Sequence, residues 1–233
     1  MFLKAKIGND SYLVVADSVK GQGKIENQDS YKVLFQDETL VIALADGLGS
    51  ASFSKEGADK AVSIATQMLL HEKKLGSVSA LLFSEWKDGL SGELSLYDTT
   101  LKFLKLTPES LFAGGVGDGI IALRNKGTIE HFSPEHTFSN QTDSLLSFDL
   151  KGKFLIYSFP AHDIDFALLT TDGISEDLDL SQLEDFVKES SNSILQNAEG
   201  FEKEFHDLLN NWPIKTNQDD KTGIFVVKET EHE

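Results

Sequence analysis

The sequence predicts an α+β fold in which β-strands form the core and helices lie in two groups. Three apolar segments each run into an Asp-Gly pair, namely Leu40–Gly47, Leu111–Gly119 and Phe166–Gly173. Continuous runs of Val, Ile, Leu and Ala are typical of strands buried in a sheet, and Asp-Gly is a turn-forming pair that ends them. Apolar residues at spacings of three and four predict an amphipathic helix over Ser54–Leu70.

The same patterns predict the remaining elements. Further strands are expected at Tyr12–Asp17, Tyr31–Phe35, Thr99–Leu106, Gly119–Arg124 and Thr222–Lys228. Further helices are expected at Ser77–Leu90, Leu180–Leu195 and Phe201–Leu209, with Pro213 closing the last of them. The least regular stretch, Gly127–Pro160, predicts a mobile loop over a site.

Length and composition indicate one domain over residues 1–233. A chain of 233 residues with 40% hydrophobic content can bury a sizeable core. The sequence contains no repeat of fixed period, no low-complexity tract and no linker rich in Pro, Gly or Ser.

Charge and cysteine content exclude several classes of function. The absence of cysteine excludes disulfides, thiolate metal sites and catalysis by a cysteine nucleophile. A net charge of −17 argues against binding to nucleic acid or to an anionic membrane, since both rely on Lys and Arg. No window approaches the roughly 18 apolar residues of a membrane span, and Met1–Asp10 lacks the pattern of a signal peptide, so we expect a soluble, cytoplasmic protein.

Strand ends deliver several carboxylates to what we expect to be one edge of a sheet. Asp46, Asp118 and Asp172 follow predicted strands, whereas Asp219 precedes one and meets the others if that strand runs antiparallel. Taken singly, each Asp-Gly is more often only a turn. Their repetition, in a chain with no cysteine and six scattered histidines, indicates a site for hard cations such as Mg²⁺ or Mn²⁺. Two such ions can activate water for hydrolysis.

The acidic motifs, taken in order, resemble those of the type 2C (PPM) metal-dependent serine/threonine protein phosphatases, and the resemblance covers nearly the whole chain. The segments that carry it are Lys24–Asp29, Asp46–Gly49, Asp98–Thr100, Gly117–Ile120, Glu135–Thr137, Thr171–Gly173 and Asp219–Thr222. The resemblance implies a four-layer α-β-β-α sandwich, with two central antiparallel sheets flanked by helices. It also implies that a water bridging two Mn²⁺ or Mg²⁺ ions attacks the phosphorus of phosphoserine or phosphothreonine directly.

The resemblance assigns roles to particular residues. It implies that Asp46 bridges the two ions, that the Gly47 carbonyl binds one of them, and that Asp172 and Asp219 bind the other. Asp29 is expected to hold the water network around the ions. Asp118 matches the position that binds a third, weaker ion in bacterial members.

Three departures from the family pattern affect the chemistry. Lys24 replaces the arginine that grips the substrate phosphate, and its point charge steers phosphate less rigidly, although Lys24 is alternatively a solvated loop residue. Leu48 stands where several relatives carry a histidine proposed as general acid. Gln28 replaces a glutamate and removes one negative charge from the metal site.

The sequence leaves three hypotheses open. The first is a cytoplasmic protein phosphatase that acts on phosphoproteins and opposes a serine/threonine kinase. The second is a pseudophosphatase, in which the fold is retained as a regulatory or binding module, and Lys24 motivates it. The third is an interaction protein whose acidic surface, around residues 177–189, recruits a basic partner.

Overall fold

The protein is built on two stacked antiparallel β-sheets. It is seen in a computed structural model that describes residues 1–71, 78–132, 142–147 and 154–229. The strands are β1 (Phe2–Ile7), β2 (Asp10–Val19), β3 (Asp29–Gln36), β4 (Thr39–Asp46), β5 (Leu101–Leu106), β6 (Ser110–Val116), β7 (Ile120–Asn125), β8 (Thr128–Phe132), β9 (Leu155–Pro160), β10 (Ile164–Thr170) and β11 (Lys221–Lys228). The helices are α1 (Ser54–His71), α2 (Val78–Asp88), the short α3 (Asp172–Ser175) and α4 (Leu183–Asn210).

The order of strands places both chain ends in one sheet. The first sheet has the order β1-β2-β11-β10-β7-β8, and the second has the order β3-β4-β5-β6-β9. Every pair of neighbouring strands is antiparallel. Strand β11 therefore starts at the end of the sheet where β10 stops. This is the condition under which Asp219 was expected to meet the other aspartates.

Three apolar clusters hold four layers together. Between the sheets, residues such as Ile42, Leu104 and Leu169 bury one face of each sheet. Helices α1 and α2 cover the outer face of the second sheet, and α4 covers the outer face of the first. This arrangement confirms both the α+β class and the four-layer sandwich.

The predicted elements agree with the structure except at three strands and two helices, of which the short α3 was not predicted. Strands β1, β8 and β9 were not predicted; the last two lie within the stretch expected to be irregular, and the rest of that stretch is described only at residues 142–147. The two helices predicted near the C-terminus form α4, with a kink at Asn197, where the backbone leaves helical geometry. No helix among the described residues is long and apolar enough to cross a membrane.

Candidate active site

The candidate site lies at one end of the sandwich, where strands from both sheets stop, so the acids do not share the edge of a single sheet as the sequence suggested. Asp29, at the start of β3, is paired across the ladder with Asp46, at the end of β4. Its Oδ2 accepts hydrogen bonds from Thr171 Oγ1 at 2.9 Å and from Thr222 Oγ1 at 2.6 Å, both in the other sheet's layer. Asp29 is buried and therefore joins the two sheets at the site.

The backbone around Asp46 is fixed by the two threonines that precede β5. The Asp46 amide donates to Thr100 Oγ1 at 2.9 Å, and its carbonyl accepts from Thr99 Oγ1 at 2.8 Å. At the next position a Cβ would lie 2.7 Å from the Ser54 carbonyl oxygen, so only glycine fits at Gly47. The turn thus places the Asp46 carboxylate and the Gly47 backbone at the end of the sandwich where the candidate site lies.

Asp172 and Asp219 reach the same end from β10 and β11. Asp172 is the first residue of α3, just after the end of β10, and is not part of the strand. Asp219 lies two residues before β11. The buried neighbour Asp220, which had no predicted role, accepts from the Gly21 amide at 2.7 Å and from the Gln28 amide at 2.8 Å. Asp220 therefore ties the loop that carries Lys24 to the start of β11.

Lys24 points into this acidic end of the molecule. Its Nζ hydrogen-bonds to a carboxylate oxygen of Asp219 and lies 3.1 Å from Asp220 Oδ2. Burial lowers the pKa of Lys24, but the hydrogen bonds and charges of the two aspartates outweigh burial and raise it above its ordinary value. Lys24 is therefore a half-buried lysine that forms ion pairs with two carboxylates at this end of the sandwich.

Burial, together with repulsion between the carboxylates, raises the pKa of three aspartates at the site. Burial, with the charges of Asp220 and Asp172, raises the pKa of Asp29 to about 7, even though its two threonine donors act in the opposite direction. Burial and then the charges of Asp29 and Asp172 raise the pKa of Asp46 well above its ordinary value. Burial and the charge of Asp219 also raise the pKa of Asp172. An acidic cluster of this kind is stabilised by a cation.

A buried lysine that the sequence analysis did not identify lies against the cluster. Lys102, on β5, is 5% exposed, and its Nζ donates to the carbonyl oxygen of Gly117 at 3.0 Å and to that of Asp118. Burial lowers its pKa to about 8, while the charges of four aspartates act in the opposite direction, those of Asp118 and Asp46 most strongly. The only feature of the sequence that could have identified Lys102 is its position inside an apolar strand. Lys105 has the same feature, although β5 places it on the opposite face.

Asp118 lies at the turn between β6 and β7, next to Lys102. Its Oδ2 accepts from Thr142 Oγ1 at 2.5 Å, and Ser144 Oγ donates to Asp98 Oδ2 at 2.7 Å. Residues 142–147 therefore contact one border of the site. The predicted motif at Glu135–Thr137 lies outside the described residues.

The cluster suits a divalent cation, although its side chains do not form a closed set of ligands. Among the described residues, no group of three His, Asp or Glu side chains is arranged to hold a metal ion. In contrast, Oδ1 of Asp29 and Oδ1 of Asp172 are buried, and no donor from the described part of the chain reaches them. Carboxylate oxygens are the ligands that Mg²⁺ and Mn²⁺ prefer, so these residues fit such an ion.

Comparison with known families decides the class of protein. A family model described as protein phosphatase 2C matches residues 20–210, which is most of the chain. The match includes every residue of the candidate site except those in β11 and the loop before it. The chain belongs to the protein phosphatase 2C family. No curated protein sequence matches it.

Solved phosphatase 2C structures share its fold. The catalytic domain of the serine/threonine protein phosphatase PstP with two manganese ions matches with a TM-score of 0.68 at 17% identity, over 94% of this chain and 99% of that one. The phosphatase Stp1 from Staphylococcus aureus matches with a TM-score of 0.68 at 13% identity, over 99% of this chain and 98% of that one. RsbX in complex with magnesium matches with a TM-score of 0.65 at 18% identity, over 98% of this chain and 100% of that one. Identities this low show the phosphatase 2C fold alone.

Proposed function

We propose that this protein is a Mn²⁺- or Mg²⁺-dependent phosphatase that hydrolyses phosphoserine and phosphothreonine in proteins. The observation that supports it most is the convergence of Asp29, Asp46 and Asp172 at the junction of the two sheets, with a raised pKa at each carboxyl. Membership of the phosphatase 2C family supports the same reaction. The proposal includes a single domain and a cytoplasmic phosphoprotein substrate, phosphorylated by a serine/threonine kinase.

In this proposal each acidic residue has one role. Asp46 would contribute to the binding of both ions, the Gly47 carbonyl would hold one of them, and Asp172 and Asp219 would hold the other. Asp29, anchored by Thr171 and Thr222, orients water around the ions. When bound, the two ions supply an activated water and positive charge for the phosphate oxygens.

We assign Lys24 to the substrate phosphate. Its ammonium lies within the acidic site and is held there by Asp219 and Asp220. An ion at Asp219 would neutralise that carboxylate and leave Lys24 free to donate to a phosphate oxygen. As a point charge it orients phosphate less rigidly than a forked guanidinium, so Lys24→Arg is expected to lower KM.

The first test is hydrolysis of p-nitrophenyl phosphate with Mn²⁺. We expect EDTA to abolish activity, and Asp46→Asn and Asp172→Asn each to lower kcat/KM at least about a hundredfold, because the ions are worth several kcal/mol in the transition state. Asp88→Asn, at the exposed end of α2, changes the same charge far from the site and serves as control. Full activity in either site variant would disprove the mechanism.

One observation favours the pseudophosphatase as a second candidate. Lys24 forms an ion pair with Asp219, so a lysine already neutralises a residue proposed to bind metal. Titration calorimetry with Mn²⁺, together with the assay on p-nitrophenyl phosphate, separates the two functions. The enzyme must both bind metal and turn over substrate. Absent or weak metal binding, or binding without turnover, would favour the regulatory module.

A further inference from the structure

A cleft of about 340 Å³ opens directly beside the candidate active site. Its walls are the loop after β2, the C-terminal end of α4 and the segment that leads into β11. Asp219 lies at its border, and Lys20, Lys215, Lys221 and Trp212 line it. The proposed metal ligand Asp219 is thus shared by the cleft and the active site.

Among the described residues, the three lysines of this cleft donate to carbonyl and amide oxygens and not to carboxylates. Lys221 is only 3% exposed, and its Nζ donates to the Asp219 carbonyl at 2.8 Å and to Asn217 Oδ1 at 3.1 Å. Lys215 Nζ donates to the Trp212 carbonyl at 2.8 Å, and Lys20 Nζ to the Ile25 carbonyl at 3.4 Å. In the described part of the chain, none of the three forms an ion pair. The described carboxylates near Lys221 act on it without a direct ion pair, so an anion that contacts the buried ammonium would stabilise it further.

The nearby carboxylates act on Lys221 through their charge but form their hydrogen bonds with other partners. Asp177 Oδ2 accepts from Trp212 Nε1 at 2.6 Å and from Asn217 Nδ2 at 2.7 Å, which fixes the wall of the cleft. Asp219 is bound by Lys24 and faces the active site. In a protein of net charge −17, the residues that line this cleft carry more positive than negative charge, with three lysines and one carboxylate.

We propose that this cleft binds acidic side chains of the substrate protein next to the phosphorylated residue. The proposal rests on the proposed phosphatase function, which places the substrate phosphate beside Asp219. An extended peptide advances about 3.3 Å per residue, so a residue within a few positions of the phosphoserine reaches the cleft. The ring of Trp212, with Lys221 Nζ 5.7 Å from its centroid, provides a flat wall for the peptide. The substrate class is therefore phosphoserine or phosphothreonine flanked by Glu or Asp.

The test compares two phosphopeptides that differ only in three flanking residues, Glu in one and Gln in the other. We expect wild-type protein to show a kcat/KM about tenfold higher for the Glu peptide, since two or three partly exposed ion pairs contribute this much. The double variant K20E/K215E should lose that preference and keep its activity on p-nitrophenyl phosphate. Lys221→Met, which removes the buried ammonium, should also reduce the preference.

The control is K87E/K188E, which changes net charge equally at exposed positions outside the cleft. Fluorescence anisotropy of the labelled peptides on Asp46→Asn protein measures the same Glu-over-Gln ratio as binding, without turnover. If wild-type protein hydrolyses neither peptide, the phosphatase proposal fails, while the binding ratio still decides the cleft. Equal binding of the two peptides, or an equal loss of preference in both double variants, would overturn the proposal.

Discussion

Lys102 is the residue that most distinguishes this site from a cluster of acids alone. It contributes a buried ammonium beneath four aspartates, and it binds the carbonyl oxygens of Gly117 and Asp118. A positive charge there relieves repulsion among the carboxylates, and it also opposes the arrival of a divalent ion. The third ion predicted near Asp118 would have to occupy space beside this ammonium.

We therefore expect Lys102→Met to bind Mn²⁺ more tightly. Methionine keeps an unbranched stem of similar length without the charge, and the resulting loss of repulsion should lower the Kd at least about tenfold. Titration calorimetry gives both the Kd and the number of ions, which should rise if Lys102 blocks the position at Asp118.

Lys105→Met is the matched control for that experiment. Lys105 is a buried lysine of the same strand but on the opposite face, so its removal should leave Mn²⁺ affinity unchanged. Unchanged affinity in Lys102→Met, with the fold intact by thermal unfolding, would contradict the expectation.

At the scale of elements, the strands that sequence patterns did not predict are all edge strands. Strands β1, β8 and β9 each pair on one side only, and their residues are largely half-buried or exposed. An edge strand needs no continuous apolar run, so the pattern that predicted central strands such as β4 and β10 is absent there. The positions of Asp46 and Asp172 were predictable because Asp46 ends, and Asp172 closely follows, a strand whose residues are nearly all buried.

What the sequence could not reveal is how the two sheets meet. The contacts of Thr171 and Thr222 with Asp29 join segments 142 and 193 residues apart, and they depend on the stacking of one sheet on the other. Local periodicity carries no information about this stacking. The same applies to the burial of Lys102, which the alternation of β5 alone does not distinguish from that of Lys105.

The kink in α4 has a local cause that can be tested. Asn197 leaves helical geometry, and its Oδ1 accepts from the Gly200 amide at 3.0 Å, as an N-cap residue does at the start of a helix. We expect Asn197→Ala to lower the free energy of unfolding by about 1 kcal/mol, and Asn197→Asp to retain most of it. Urea denaturation measures both changes. Asn192→Ala, at an exposed position in the helix interior, should be neutral or slightly stabilising, and an equal loss there would argue against a cap.

At the scale of the whole molecule, the acidic site sets how stability depends on pH. Asp29 joins the two sheets, and its pKa is raised from 3.8 to about 7 in the folded, metal-free protein. Between these values the folded protein holds a proton that the unfolded chain has lost. The folded state is therefore progressively destabilised as pH rises from about 4 to about 7, and above about 7 the full penalty applies.

We expect this penalty to appear as a difference between wild-type protein and Asp29→Asn in EDTA. Asparagine cannot ionise, so the free energy of unfolding of the variant, relative to wild type, should increase between pH 4.5 and pH 7.5 by about 3 kcal/mol. Lost contacts with Thr171 and Thr222 add an offset that does not depend on pH. Urea denaturation across this range measures the difference, and parallel curves would show that Asp29 ionises normally. Adding Mn²⁺ at pH 7.5 should then stabilise wild-type protein more than the variant, because the cation offsets the charge that Asp29 introduces where the sheets meet.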